Sequence, residues 1–240
     1  MGFSRNAPPP RPAAERLTAR MVGIGMLFAT KPDADADIEQ TLVHASALGM
    51  DEGDFRVLSV LTTWLEVHHT HLNADRLIRL TMTGTSTRVQ AYWSAIAAWL
   101  GQDRRFARLI PKHRGPPADL LQVGNDFQVA RRGADERFAN SSLRVPQGVL
   151  RDRAVDVLAP EVLIRKHAGY RNRVLMGPTW RADVWTVLEA APELSVSDVA
   201  RRATCSFATA WQVSQDFKLL HGHIGIASPP KLATRKKLEA

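Results

Sequence analysis

The stretch that decides the fold is Ser195–Leu220, which reads SVSDVARRATCSFATAWQVSQDFKLL. Residues 198–203 predict a short amphipathic helix, and a longer helix is predicted to follow it. Ser206 is expected to cap that longer helix, because its hydroxyl can accept a hydrogen bond from a free amide of the first turn. The apolar face of the longer helix has helical spacing: Ala210, Val213 and Phe217. The two helices should cross at Ala200, where a larger side chain would push them apart.

This stretch resembles the helix-turn-helix of winged-helix domains in bacterial transcription regulators. The resemblance covers residues 181–228 and rests on residue types at fixed positions of the motif: Ala200, Ala203, Cys205, Ser206, Thr209 and Val213. Thr204 replaces the glycine that is usual in the turn, a departure that is tolerable if Thr204 avoids a positive φ. The resemblance also implies a preceding helix at Trp180–Ala191 and a wing strand at Ile224–Ala227.

The resemblance implies that residues 206–219 form a recognition helix in the major groove of double-stranded DNA. The side chains expected toward the DNA bases are Ser206, Phe207, Thr209, Gln212 and Gln215. Glutamine can bridge adenine with two hydrogen bonds, and phenylalanine can contact a thymine methyl group. Phosphate contacts would come from Arg201, Arg202 and Lys218. Trp211 has three open roles: packing against the wing, contact with DNA, and contact with a second copy of the chain.

The fold class predicted for the whole chain is mainly α, with an N-terminal helical bundle and a C-terminal winged helix-turn-helix. A small β-hairpin region is expected between them, with its turn at Gly124–Asp126. The predicted segments are a disordered arm (1–14), a helical domain (15–110), a mixed linker region with short strands (111–178), the winged helix-turn-helix (179–228) and a basic tail (229–240). The boundary after residue 110 is placed where prolines and glycine interrupt the helical pattern.

Within the helical domain, apolar residues recur every three or four positions, which predicts four or five helices. Gly49 is expected to end one helix, Asp54 to begin the next, and Thr85 or Ser86 to cap a later one. Three tryptophans on apolar faces are predicted to lie in the core: Trp64, Trp93 and Trp99. Tyr170–Met176 alternates basic and apolar residues, which indicates an edge strand or an extended linker.

The net charge of +8 and the pI of about 10.2 favour a polyanionic partner. The charge is unevenly distributed, because residues 31–75 carry nine acidic side chains against two basic ones. The acidic part could bind a protein while the basic part binds nucleic acid, or the two could neutralise each other within the molecule. A single cysteine fits a reducing cytoplasm, and the apolar run Met21–Ala29 is too short to span a bilayer. We therefore expect a cytoplasmic protein without membrane segments.

Enzymatic motifs are absent from the sequence. There is no nucleophile elbow, phosphate-binding glycine loop or zinc-protease motif. His68 and His71 have the spacing of two metal ligands on one helix face, with Asp75 nearby, but helix-end histidines are common without a metal. The prediction is therefore a protein that is not an enzyme and that requires no metal or cofactor.

Three functions follow, in order of preference. The first is a DNA-binding transcriptional regulator, acting as a homodimer. The second is a protein-interaction adaptor or antitoxin-like partner, whose acidic helical domain binds a basic protein and whose winged helix is a scaffold. The third is an enzyme that processes RNA or nucleotides and holds a metal with His68, His71 and Asp75.

Overall fold

The structure, a computed structural model, describes residues 13–222 in two compact units, the first ending at Ala182 and the second beginning at Asp183. The chain is mainly helical, as predicted. The helices are α1 (Ala14–Gly23), α2 (Ile38–Glu52), α3 (Phe55–His68), α4 (Ala74–Met82), α5 (Thr87–Trp99), α6 (Asn125–Arg132), α7 (Pro160–Lys166), α8 (Ala168–Met176), α9 (Trp180–Ala190), α10 (Val196–Arg202) and α11 (Phe207–His221). Within residues 13–222, none of these has the length and apolar character of a membrane span.

Side-chain caps mark the beginnings of two helices as the sequence predicts. Asp54 accepts a hydrogen bond of 2.9 Å from the Val57 amide at the start of α3. Ser86 accepts one of 3.1 Å from the Val89 amide at the start of α5. Each cap satisfies an amide that has no partner within its own helix, which is why the chain turns into a helix at these positions.

Gly49 lies inside α2, so the prediction that it ends this helix is wrong. The helix continues to Glu52, and Gly53, with φ of 80°, follows it. A Cβ atom at Gly49 would lie 2.7 Å from the Leu58 Cβ atom of α3. Gly49 therefore permits close packing of α2 on α3, and this contact outweighs the cost of about 1 kcal/mol that glycine imposes inside a helix.

Tryptophans form a large part of the core of the first unit. Trp64 donates from Nε1 to the Ile24 carbonyl (2.8 Å), and Trp93 donates to the Ser46 hydroxyl (3.0 Å). Both indoles are fully buried as predicted, while Trp99 packs against the core and is only partly buried. Because each buried N–H has a partner, these large rings fill the core without leaving an unsatisfied polar group.

Residues 111–178 belong to the first unit, whereas the sequence predicts a linker region there. Their apolar side chains are buried in the same core as those of α1 to α5: Leu120, Phe138, Leu143, Val145, Leu150, Leu163 and Tyr170. The loss of helical periodicity after residue 110 marks a change of secondary structure and not the end of the core. Short apolar segments have too little periodicity to reveal what they pack against.

The β-hairpin predicted around Gly124–Asp126 is wrong. The strands β1 (Ala118–Asp119) and β2 (Leu143–Arg144) pair in parallel, and α6 lies between them in the chain. Asn125, the first residue of α6, is buried and donates a hydrogen bond of 3.0 Å to the Asp119 carboxylate. This contact favours the start of a helix at residues that the sequence predicts as a hairpin turn. The strand that pairs with β1 is β2, which follows α6 in the chain.

A buried ion pair joins α8 to α2. The prediction of a strand or extended linker at Tyr170–Met176 is wrong, because the segment is helical and its Arg173 reaches Glu39. Two parallel hydrogen bonds connect the side chains, from Nη1 to Oε1 (2.6 Å) and from Nη2 to Oε2 (2.7 Å). The arginine side chain is 2% exposed and the glutamate 0%. This bidentate geometry pairs two charges that water does not reach.

The acidic segment 31–75 is partly neutralised by arginines of its own unit. Several of its carboxylates form ion pairs, among them Asp33 with Arg20, Asp37 with Arg76, Glu39 with Arg173, and Asp75 with Arg108. The sequence left open whether the acidic charge meets a partner protein or is neutralised within the molecule. These contacts favour neutralisation within the molecule for part of that charge.

Replacing Arg173 should strongly destabilise the first unit. In Arg173→Met the Glu39 carboxylate stays buried without its guanidinium, and we expect a loss of about 3–5 kcal/mol in the free energy of unfolding, measured by urea denaturation. The double variant Glu39→Leu with Arg173→Met should recover part of this loss. Arg165→Met, at an exposed position on the preceding helix α7, is the control and should cost less than about 0.5 kcal/mol. Equal stabilities of Arg173→Met and the control would contradict the role of the pair.

Candidate nucleic-acid interface

The second unit contains the helix pair that the sequence predicts. Ser206 caps α11 by accepting a hydrogen bond of 3.1 Å from the Thr209 amide, which confirms its predicted role. Ser195 caps α10 in the same way, with 3.2 Å to the Asp198 amide. α10 packs on α11, and one set of apolar residues from α9, α10, the turn and α11 is buried: Val184, Leu188, Val199, Ala200, Ala203, Ala210, Val213 and Phe217.

The turn between α10 and α11 contains a threonine in a left-handed conformation. Thr204 has φ of 55°, so the condition stated from the sequence, that it avoid a positive φ, is not met. The Cys205 amide donates to the Ala200 carbonyl at 3.0 Å and closes the turn. A β-branched residue in this region is strained, but the turn keeps the backbone conformation in which a glycine is favoured.

The outer face of α11 is accessible at its beginning. Phe207 is 53% exposed and Trp211 is 39% exposed, and the side chain of Gln212 is exposed as well. Gln215 is half-buried. Thr209 is half-buried, and its hydroxyl lies 2.8 Å from that of Ser206, so both hydroxyls are engaged at the helix cap.

The basic side chains lie at the edges of this surface and not on it. Arg201 forms an ion pair with Asp198 one turn earlier on α10, which offsets part of its charge. Arg202 is exposed, and Lys218, in the last turn of α11, is half-buried. The face itself, from Phe207 to Gln215, contains neither lysine nor arginine. Its polar contacts would therefore come from amide and hydroxyl groups.

An aromatic cluster fixes the end of α11 to α9, and no local pattern in the sequence predicts it. The rings of Phe217 and His221 stack with their centroids 4.1 Å apart, and Trp185 packs edge-on against Phe217 at 5.0 Å. His221 is the last residue of α11, which extends two residues beyond the recognition helix predicted at residues 206–219. The wing strand predicted at Ile224–Ala227 lies outside the described residues.

The two histidines predicted as possible metal ligands, His68 and His71, both contact Tyr170. His68 Nε2 donates to the Leu158 carbonyl at 3.0 Å, so the neutral ring has an acceptor at Nδ1, which receives the Tyr170 hydroxyl at 2.7 Å. Asp75 is paired with Arg108. In the part of the chain that the structure describes, no three histidine, cysteine or carboxylate side chains are grouped as metal ligands.

The neutral state of His68 should make the protein sensitive to acid. Burial lowers the pKa of His68 from 6.5 to about 4, so its neutral form stabilises the fold above pH 6.5 and this contribution is lost as the pH falls toward 4. In His68→Gln, which cannot titrate, the slope of unfolding free energy against pH between 6.5 and 4 should decrease by up to about 1.4 kcal/mol per pH unit. An unchanged slope in His68→Gln would contradict this expectation.

Relief of strain at Thr204 should stabilise the helix pair. In Thr204→Gly the cost of the left-handed conformation disappears, and this gain exceeds the added flexibility of the unfolded chain. We expect the amides of α10 and α11 to exchange hydrogen about two- to fivefold more slowly. Ser197→Gly, at an exposed position inside α10, should speed the exchange instead. Faster exchange in Thr204→Gly would show that the turn does not strain this residue.

Comparison with known proteins supplies no further assignment. No protein-family model, no curated protein and no solved structure matches the chain. The resemblance of α10 and α11 to a helix-turn-helix therefore stays a prediction, which rests on the spacing of the two helices and on the Ser206 cap.

Proposed function

We propose that the protein binds double-stranded DNA by placing the outer face of α11 in the major groove. The observation that carries this proposal is the exposed beginning of α11. It follows a short turn after α10 and presents Phe207, Trp211 and Gln212 to solvent. An α-helix fits the major groove, and in a helix-turn-helix the first residues of the second helix contact the bases.

Specificity for a DNA sequence would come from a small set of contacts to the bases. Gln212 can donate to and accept from adenine in the bidentate arrangement that recognises this base, with Gln215 one turn later, and Phe207 can pack on a thymine methyl group. The hydroxyls of Ser206 and Thr209 form a hydrogen bond with each other. They therefore position the start of the helix and would contribute less to base contacts than Gln212 does.

Affinity would come from phosphate contacts at the two edges of the face. Arg202 and Lys218 are the main candidates, because Asp198 offsets the charge of Arg201. Trp211 lies one turn after Phe207 and can contact the sugar-phosphate backbone beside it. The net charge of +8 adds attraction to any polyanion that does not depend on sequence.

The biological role that fits such an interface is transcriptional regulation in the cytoplasm. A homodimer would place two copies of α11 on half-sites one helical turn apart, which doubles the number of base contacts. Nothing in this role requires a catalytic group, metal or cofactor. The first unit would then serve to sense a signal or to bind a partner.

The test separates phosphate contacts from base contacts. Binding of the full chain to random duplex DNA is measured between 50 and 200 mM salt, and preferred sequences are selected from a random duplex library. Arg202→Ala with Lys218→Ala should reduce the slope of log affinity against log salt by about 2. Gln212→Ala with Gln215→Ala should keep that slope and reduce the sequence enrichment.

The control for this test removes two charges from the first unit. Arg131→Ala with Arg132→Ala changes two exposed residues of α6 and should alter neither the slope nor the enrichment. Equal loss of slope in the control and in the Arg202 and Lys218 variant would place the DNA contact elsewhere. Absence of DNA binding at 50 mM salt would refute the proposal.

A second candidate function is that of a protein-interaction adaptor or antitoxin-like partner. Phe207 and Trp211 lie four residues apart on α11, and Leu219, which is 84% exposed, follows eight residues after Trp211, so the three form an exposed apolar stripe along the helix. Such a stripe is typical of a helix that docks on another protein. Indifference to duplex DNA together with co-purification of one partner, lost in Phe207→Ala with Trp211→Ala, would favour this function over the first.

A further inference from the structure

A cavity of about 240 Å³ lies in the first unit between α2 and the connection from α4 to α5. Its volume suits a ligand of on the order of ten non-hydrogen atoms. The residues of its lining that matter for a ligand are Val43, Ala47, Asp51, Leu80, Thr83 and Ser86. No residue of α9, α10 or α11 contributes to the lining, so the cavity is independent of the proposed DNA interface.

One part of the cavity is apolar. Val43 and Ala47 lie one turn apart on α2, and Leu80 of α4 completes this part of the lining. Val43 is buried, while Ala47 and Leu80 are partly buried against the core. These side chains offer a surface on which the hydrocarbon part of a ligand can be removed from water.

The hydroxyl groups that line the rest of the cavity already donate hydrogen bonds to acceptors within the protein. Thr83 Oγ1 donates to the Arg79 carbonyl at 2.8 Å, and Thr85 Oγ1 donates to the Thr81 carbonyl. Ser86 Oγ donates to the Asp51 carboxylate at 2.7 Å. A hydroxyl that donates its proton within the protein retains only acceptor capacity. This end of the cavity therefore favours a ligand that donates hydrogen bonds.

The formal charge of the lining is negative. With histidine neutral, Asp51 is the lining residue that carries a charge. The nearest arginine on α5, Arg88, is directed to other groups, with hydrogen bonds to the Met50 and Leu120 carbonyls at 2.9 and 3.0 Å. Arg20 donates to Gln40 at the α2 side of the cavity. The end formed by Asp51 and Ser86 therefore suits a cationic group.

We propose that this cavity binds a small organic amine. The ammonium group lies at the end formed by Asp51, Ser86 and Thr83, where it donates to the carboxylate and to hydroxyl oxygens. The hydrocarbon part packs on Val43, Ala47 and Leu80. Charge-assisted hydrogen bonds select the ammonium over a neutral head group of the same shape.

The test compares three probes that share a phenyl group and a short chain. Phenethylamine, 2-phenylethanol and 3-phenylpropanoate are titrated into the full chain in phosphate buffer and followed by calorimetry. Phenethylamine should bind saturably at one site and about tenfold more tightly than the alcohol, and phenylpropanoate should not bind. Equal affinity for the amine and the carboxylate, or no saturable binding of the amine, would overturn the proposal.

Two variants locate the binding within the cavity. Asp51→Asn keeps an acceptor for the Ser86 hydroxyl but removes the charge, and it should weaken phenethylamine about tenfold while leaving 2-phenylethanol unchanged. Glu52→Gln, the adjacent carboxylate outside the lining, is the matched control and should bind the amine as the unchanged chain does. Ala47→Leu should fill the apolar part and remove binding of both probes. Amine binding that survives both Asp51→Asn and Ala47→Leu would place it elsewhere and overturn the proposal.

Discussion

The first unit depends on the ion pair between Glu39 and Arg173. It joins α2 to α8, and its two residues are 134 positions apart in the sequence. Both side chains are buried, and the glutamate also accepts from the Asn73 amide at the start of α4 at 2.9 Å. Three helices thus meet at one carboxylate. A buried pair of this kind adds little net stability over an apolar contact, but the loss of one partner is costly because the other remains charged in the interior. The pair therefore specifies how α8 packs.

The second unit depends in the same way on one local constraint, the backbone of Thr204. The turn after α10 requires a left-handed residue, and the chain has a threonine there with φ of 55°. The surrounding packing maintains this conformation, because Ala200, Ala210 and Val213 bury the contact between the two helices. As a result α11 begins at Phe207, directly after its Ser206 cap, with the outer face of its first turns exposed.

The two units differ in where their polar side chains lie. The first unit has polar side chains in its interior. His68 forms hydrogen bonds with the Tyr170 hydroxyl and the Leu158 carbonyl, and Glu39 forms an ion pair with Arg173. The second unit exposes a face that combines aromatic and amide groups and has cations only at its edges. Under the proposed function this face contacts bases, and because it carries little charge of its own, affinity for DNA would depend on phosphate contacts of Arg202 and Lys218.

Local rules predicted much of the helical structure from the sequence alone. The spacing of Val213 and Phe217, the cap at Ser206 and the cap at Asp54 depend on neighbours within one or two helical turns, and the structure contains all of them. Only the tertiary structure decided that Gly49 lies within a helix, that Arg173 is buried, and that β1 pairs with β2 while the segment predicted as a hairpin around Gly124–Asp126 forms the start of α6. The physical reason is that these features depend on partners far away in the chain: Leu58 beside Gly49, Glu39 beside Arg173, and a parallel strand on the other side of α6. Periodicity reports which residues share a face, but it carries no information about which distant segment covers that face.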